Sequence, residues 1–176
     1  NPNAIIVTKD RWKQDIEHVG GSGMCPMIWK FYDPNSSYPS NNTSYTSTKD
    51  IFLFRLADTY LLAAEAYYKA GDSQKAAERI NKVRERAALP GHAADMDIKP
   101  EQVDIDFILD ERAREMAGEY NRWMDLKRTG KLIERTLKYN NLAGKINKMD
   151  NHILLRPIPQ SVIDQTTGDF KQNTGY

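Results

Sequence analysis

The chain has 176 residues, 28% of them charged, yet its formal net charge is only +1, which argues against a polybasic nucleic-acid surface or an acidic tail. Its single cysteine, Cys25, excludes an internal disulfide framework, and no apolar run approaches the roughly 20 residues that a membrane-spanning helix needs. A chain of this length can bury a core unaided, so stability demands no metal or other cofactor.

Residues 1–50 are aromatic, polar and rich in turn formers. Gly20-Gly21-Ser22-Gly23 and the Asn/Ser/Pro run from Asp33 to Ser44 hold almost no aliphatic side chain, so this part cannot build a core alone. It reads as the end of something larger. Within it Trp12, Trp29, Tyr32, Tyr38 and Tyr45 stand among Asn, Ser and Asp. Aromatic faces stack on sugar C–H surfaces while amides and carboxylates bind hydroxyls, so Trp12, Trp29, Tyr38 and Tyr45 are the candidate ligand-binding residues. Against this stands the plainer role of rings that pack an irregular segment onto a core.

From Ile51 the pattern becomes helical. The first predicted helix, 51–70, is apolar nearly all round (Phe52, Leu53, Phe54, Leu56, Leu61, Leu62, Ala64) and is expected to be central. Gly71-Asp72 ends it, and Asp72 or Ser73 can cap a second helix whose apolar face is Ala76, Ala77, Ile80, Val83 and Ala87, ending at Pro90-Gly91. Tyr60, Ala64, Tyr67, Gly71, Ala76, Ile80 and Val83 fall at the offsets of one tetratricopeptide-like unit over 51–90, with small residues where two helices cross closely. A third helix is predicted over 105–118 and a fourth over 121–128, stopped by Thr129-Gly130. Beyond it helical patterning is poor, proline holds Ile153 to Pro159 extended, and a polar tail follows. The expected fold class is mainly all-α, helical hairpins with long irregular loops.

On the third helix Ile105, Ile108, Leu109, Arg112, Glu115 and Met116 share one stripe, which places two charges within an apolar face. Glu65 falls similarly among leucines and tyrosines of the first helix. Charges so placed need partners. The expectation is a structural ion-pair network of Glu65, Arg84, Arg112, Glu115 and Arg122, in which the three arginines meet the two glutamates through their planar forks. A competing reading takes two of the acids as a glycosidase-like pair. A general acid needs a raised pKa, however, and arginine neighbours lower it.

Other chemistry is thin. His18, His92 and His152 lack partners at metal-ligand spacing, the glycines at 20–23 lack the Lys-Ser/Thr of a phosphate loop, and Cys25 beside Pro26 has no base in view. Trp123 fits a helix interface as well as a ligand platform.

Six segments taken in order, F-R-L-A-D-T-Y-L-L-A-A-E-A, I-N-K-V-R-E-R-A, I-L-D-E-R-A-R-E-M-A-G-E, R-W-M-D-L-K-R-T-G-K-L, L-R-P-I-P and Q-N-T-G-Y, resemble the C-terminal portion of the SusD/RagB family. The resemblance covers 51–176, and Thr174 replaces the proline of the family's usual closing Q-N-P-G-Y. It implies a non-catalytic, glycan- or nutrient-binding lipoprotein on the outer face of a bacterial outer membrane, acting as the lid of a SusC-like TonB-dependent transporter. It also implies that Tyr60 to Val83 belong to a helical half facing the transporter, and that 112–128 carry fold signature rather than chemistry.

The family's N-terminal half, signal peptide and lipid-bearing cysteine have no counterpart in these residues, and Asn1-Pro2-Asn3 opens nothing like a signal peptide. The expectation is therefore a piece of a larger protein whose lipid anchor lies elsewhere. Residues 1–50 then continue from a missing part, and 51–176 form the helical region. A tetratricopeptide-type module that holds a peptide in a helical groove is the alternative function.

Overall fold

The computed structural model describes residues 30, 33, 47, 49–51, 53–119, 121–140, 143 and 149–176. The chain divides into two compact units, Asn1–Leu53 and Phe54–Tyr176. In the first, the Ser47 hydroxyl donates to the Asp33 carboxylate at 2.7 Å and accepts from the Lys49 N–H at 3.1 Å.

The second unit is helical, and no β-strand occurs among the described residues. It begins with a hairpin of α1 (Leu56–Lys69) and α2 (Ser73–Ala87). Gly71 has a φ of 83°, which a residue with a Cβ adopts only with strain. That conformation lets the Gly71 and Asp72 N–H groups bond back to the carbonyls of Tyr68 and Tyr67 at 3.0 and 2.9 Å. The Asp72 carboxylate then caps α2 by accepting from the Lys75 N–H at 3.0 Å. Leu61 and Ala64 meet Ala76, Ala77, Ile80 and Val83, all of them buried. The alanines let the two backbones approach, and a wholly buried Leu61 or Ile80 contributes about 1.5–3 kcal/mol relative to exposure.

Helix α1 starts at Leu56 rather than at the expected 51. Arg55 is extended, with φ −142° and ψ 159°, and a start at Leu56 puts Asp58 in the first turn, where the helix dipole favours a negative charge. Nor is α1 enclosed on every side. Leu56 and Leu62 are exposed.

After α2 come two 3-10 turns, Ala94–Met96 and Pro100–Gln102. The Asn81 side chain ties this connection to the hairpin by accepting from the Ile98 N–H at 2.9 Å and donating to the Ile98 carbonyl at 3.1 Å. Ile98 and Val103 thereby join the first core. Asp104 caps α3 (Ile105–Glu115) through the Phe107 N–H at 2.6 Å. Ile108 completes the first core, while Leu109 starts a second with Leu126 and Leu132, flanked by Ile105, Trp123 and Leu154.

Helix α4 (Arg122–Arg128) ends at Thr129-Gly130, and α5 (Leu132–Tyr139) follows at once. The expectation of poor helix beyond 130 is corrected here: Leu132, Arg135, Thr136 and Tyr139 recur at helical spacing, and Leu132 and Arg135 are buried. A 3-10 turn, Asn151–Leu154, and a short α6, Gln160–Gln165, lie near the end.

The tail is held by its own polar side chains. The Gln172 amide makes a two-bond clamp on Ile158, accepting from its N–H and donating to its carbonyl, both at 2.8 Å. Asn173 donates to the Arg156 carbonyl at 2.8 Å, and the Tyr176 hydroxyl to that of Leu155 at 3.0 Å. Gln172-Asn173-Thr174-Gly175-Tyr176 therefore acts as a strap on the extended segment before α6.

Candidate functional site

Of the charged side chains that the sequence singled out, Arg112 and Glu65 pair across the meeting of α1, α3 and α4. Arg112 of α3 is 2% exposed and donates through Nη2 to Asp58 of α1 at 2.6 Å and through Nε to Asp125 of α4 at 2.7 Å. Both aspartates are buried. One guanidinium thus joins three helices, a geometry that the planar fork allows and a lysine could not reproduce.

Glu65, 2% exposed, pairs with Arg128 of α4 and with Lys69 at 2.7 Å, and Arg128 also reaches Asp125 at 3.3 Å. Burial works against the charged form of Glu65, but the hydrogen bonds and charges of Arg128 and Lys69 outweigh it and hold the carboxyl below its ordinary range. Arg55, just before α1, donates to Glu115, to the Glu115 carbonyl at 2.5 Å and to Glu119 at 3.0 Å. Arg86 approaches Glu115 from α2 at 2.6 Å. Arg84 takes Glu111 at 2.8 Å and the Met96 carbonyl at 2.6 Å.

The partners therefore differ from those expected. Glu65 and Glu115 meet Arg128, Lys69, Arg55 and Arg86, whereas Arg84, Arg112 and Arg122 bond to Glu111, to the two aspartates and to the Leu109 carbonyl. Helical periodicity assigns a residue to a face; which residue lies opposite depends on the crossing of two helices, which it does not supply. Glu65 and Arg112 are deeply buried, while Arg84, Glu115 and Arg122 are half-buried. Trp123 is half-buried in the second core, with the Arg156 guanidinium 5.5 Å from its ring centroid.

This wiring bears on chemistry. A general acid needs a carboxyl that keeps its proton, whereas Arg128 and Lys69 favour the ionised form of Glu65. Among the described residues no cluster of His, Cys, Asp and Glu could hold a metal ion, and no helix is long and apolar enough to cross a membrane. His92 and His152 lie near the surface beside Asp95 and Asp150.

Two clefts open beside the network. One, of about 580 Å³, lies along Arg84, Met96, Glu111, Arg114 and Glu115. The other, of about 410 Å³, lies between α3, α4 and α5, with Asp110, Arg114, Arg122, Arg135 and Tyr139 in its wall. Sequence reasoning overlooked Arg135; its spacing from Leu132 and Tyr139 was the available signal. Trp12, Trp29, Tyr38 and Tyr45 lie outside the described residues.

A helical unit wired by buried arginines and ending in a Gln-Asn-x-Gly-Tyr strap defines a structural class, and comparison with known proteins names it. The SusD family model matches residues 8–176, and the chain belongs to that family. It is 34% identical over 155 residues to a SusD-like protein of Formosa agariphila, covering 84% of this chain and 28% of that protein. A second SusD-like protein of that organism is 36% identical over 121 residues, covering 68% and 23%. The starch-binding protein SusD of Bacteroides thetaiotaomicron is 31% identical over 170 residues, covering 94% and 29%. The chain thus spans less than a third of the length of these curated relatives. No solved structure gives a significant match.

Proposed function

We propose that the protein containing this chain captures an oligosaccharide or similar nutrient at the bacterial cell surface without cleaving it. It passes the ligand to a SusC-like TonB-dependent transporter in the outer membrane, to which a lipid anchor outside these residues holds it close. The observation that carries this reading is the family match over 8–176, together with a relative named for starch binding. The pairing of Glu65 with Arg128 supports the non-enzymatic part, because it favours an ionised acid over a proton donor. The alternative of a peptide-holding tetratricopeptide module draws no support from the relatives.

Within this proposal Trp12, Trp29, Tyr38 and Tyr45 offer stacking surfaces for sugar rings, and the helical region from 51 onward is scaffold and transporter contact. The test is a glycan-panel screen on the whole protein. Binding of at least one oligosaccharide, weakened on replacing Trp12 or Tyr38 with Ala, is expected. Binding that is indifferent to all four aromatic substitutions would move the ligand site off this segment, and a silent panel would count against glycan as the ligand class.

A further inference from the structure

The 410 Å³ cleft between α3, α4 and α5 gathers three arginines, one of which has no carboxylate partner among the described residues. Three guanidinium groups, Arg114, Arg122 and Arg135, stand in its wall with one carboxylate, Asp110. Arg135 is 3% exposed; it pairs with Asp110 and, at 3.6 Å, with the Asp106 carboxylate, bonds the Asp106 carbonyl at 3.3 Å, and its Nε is buried without a partner. Arg114 donates to Glu111 at 2.7 Å. Arg122, half-buried, gives one N–H to the Leu109 carbonyl at 2.7 Å, and among the described residues no carboxylate pairs with it. Burial, and then the charge of Arg135, hold the Arg122 guanidinium below its ordinary pKa. Arg122 thus faces the cleft without a carboxylate partner among the described residues, an arrangement that an entering anion would relieve.

We infer that this cleft is a binding site for an oxyanion, a sulfate or carboxylate group, held chiefly by Arg122 with Arg114 and Arg135 beside it. The guanidinium fork matches such groups through paired hydrogen bonds, and the volume lies within the range of small-ligand pockets. Thr136 and Tyr139 complete a wall able to meet the remainder of a small molecule. The oxyanion can arrive free or as the substituent of an acidic saccharide. The site stands whether or not the whole protein captures glycan.

The experiment is calorimetric titration of the full chain at constant ionic strength with three probes: inorganic sulfate, galactose 6-sulfate and galactose. Both sulfated probes are expected to bind saturably and to compete with each other. Tighter binding of galactose 6-sulfate assigns the site to an acidic saccharide, and equal binding to the free ion. Arg122→Gln is expected to weaken either by about tenfold, the scale of one charge-assisted hydrogen bond. Asp110→Asn removes the competing carboxylate and is expected to tighten binding, a gain that misfolding cannot produce. The inference is overturned if neither sulfated probe binds, if both substitutions leave affinity unchanged, or if galactose binds as well as its sulfate.

Discussion

Replacement of Arg112 with Met is the sharpest perturbation of this fold. The side chain is 2% exposed and donates to two buried carboxylates on different helices, Asp58 at 2.6 Å and Asp125 at 2.7 Å. Met fills a similar volume, so packing is largely kept and the change isolates the charge. Asp125 retains only the longer contact with Arg128, 3.3 Å, while Asp58 loses its ion-pair partner. Removing one member of a buried pair costs about 3–5 kcal/mol, because the other charge stays buried without compensation. For a unit of this size that corresponds to a fall in Tm of roughly 10–15 °C. Arg112→Lys keeps the charge but cannot span both carboxylates, and is expected to lie between wild type and Met. Urea unfolding followed by far-UV circular dichroism measures both. A loss for Arg112→Met within about 0.5 kcal/mol of zero, the range typical of exposed sites, would refute the claim that this guanidinium holds three helices together.

Two further outcomes follow from other contacts. Gly175 has a φ of 103°, and a Cβ placed there would lie 2.6 Å from the His152 Cβ; Gly175→Ala is therefore expected to loosen the C-terminal strap at a cost of about 1–3 kcal/mol, read as faster amide exchange at Ile158, with the Asn81-bonded Ile98 amide unchanged. The carboxyl pKa of Glu65 is lowered in the folded protein, so its stabilising contribution is fully present above the ordinary glutamate range and is lost as pH falls through that range and then through the lowered folded value. Stability measured from pH 6 down to pH 3 is expected to decline, and Glu65→Gln to flatten that decline; an unchanged slope would show that the Glu65 pairing is not coupled to folding.

How much of this was legible in sequence depends on which physical quantity each feature needs. The α1–α2 hairpin was readable because it is local: a 3.6-residue apolar period, then a glycine able to take positive φ, then an aspartate placed to cap. The start of α1 was not readable. Ile51, Leu53 and Phe54 look like helix on apolarity alone, yet they are exposed and non-helical in the structure, and the extended Arg55 is tied to Glu115 and Glu119 some 60 residues away. That Arg112 and Glu65 would need ionic partners followed from their placing on apolar faces. That those partners would be Asp58, Asp125 and Arg128 needed the relative positions of α1, α3 and α4. Helix α5 was passed over because it is short and half of its residues are polar, though Leu132 and Arg135 mark its buried side. The cleft beside it is a product of three helices, and no single stretch announces it.

Capture without chemistry is the central claim, and its most direct measurement combines binding with recovery. An oligosaccharide bound by the whole protein would be titrated calorimetrically, held at saturation for many hours, released and analysed by chromatography. The account predicts saturable binding and quantitative return of the intact oligosaccharide. Time-dependent appearance of new reducing ends, in proportion to protein and abolished by substitution of a carboxylate, would contradict it.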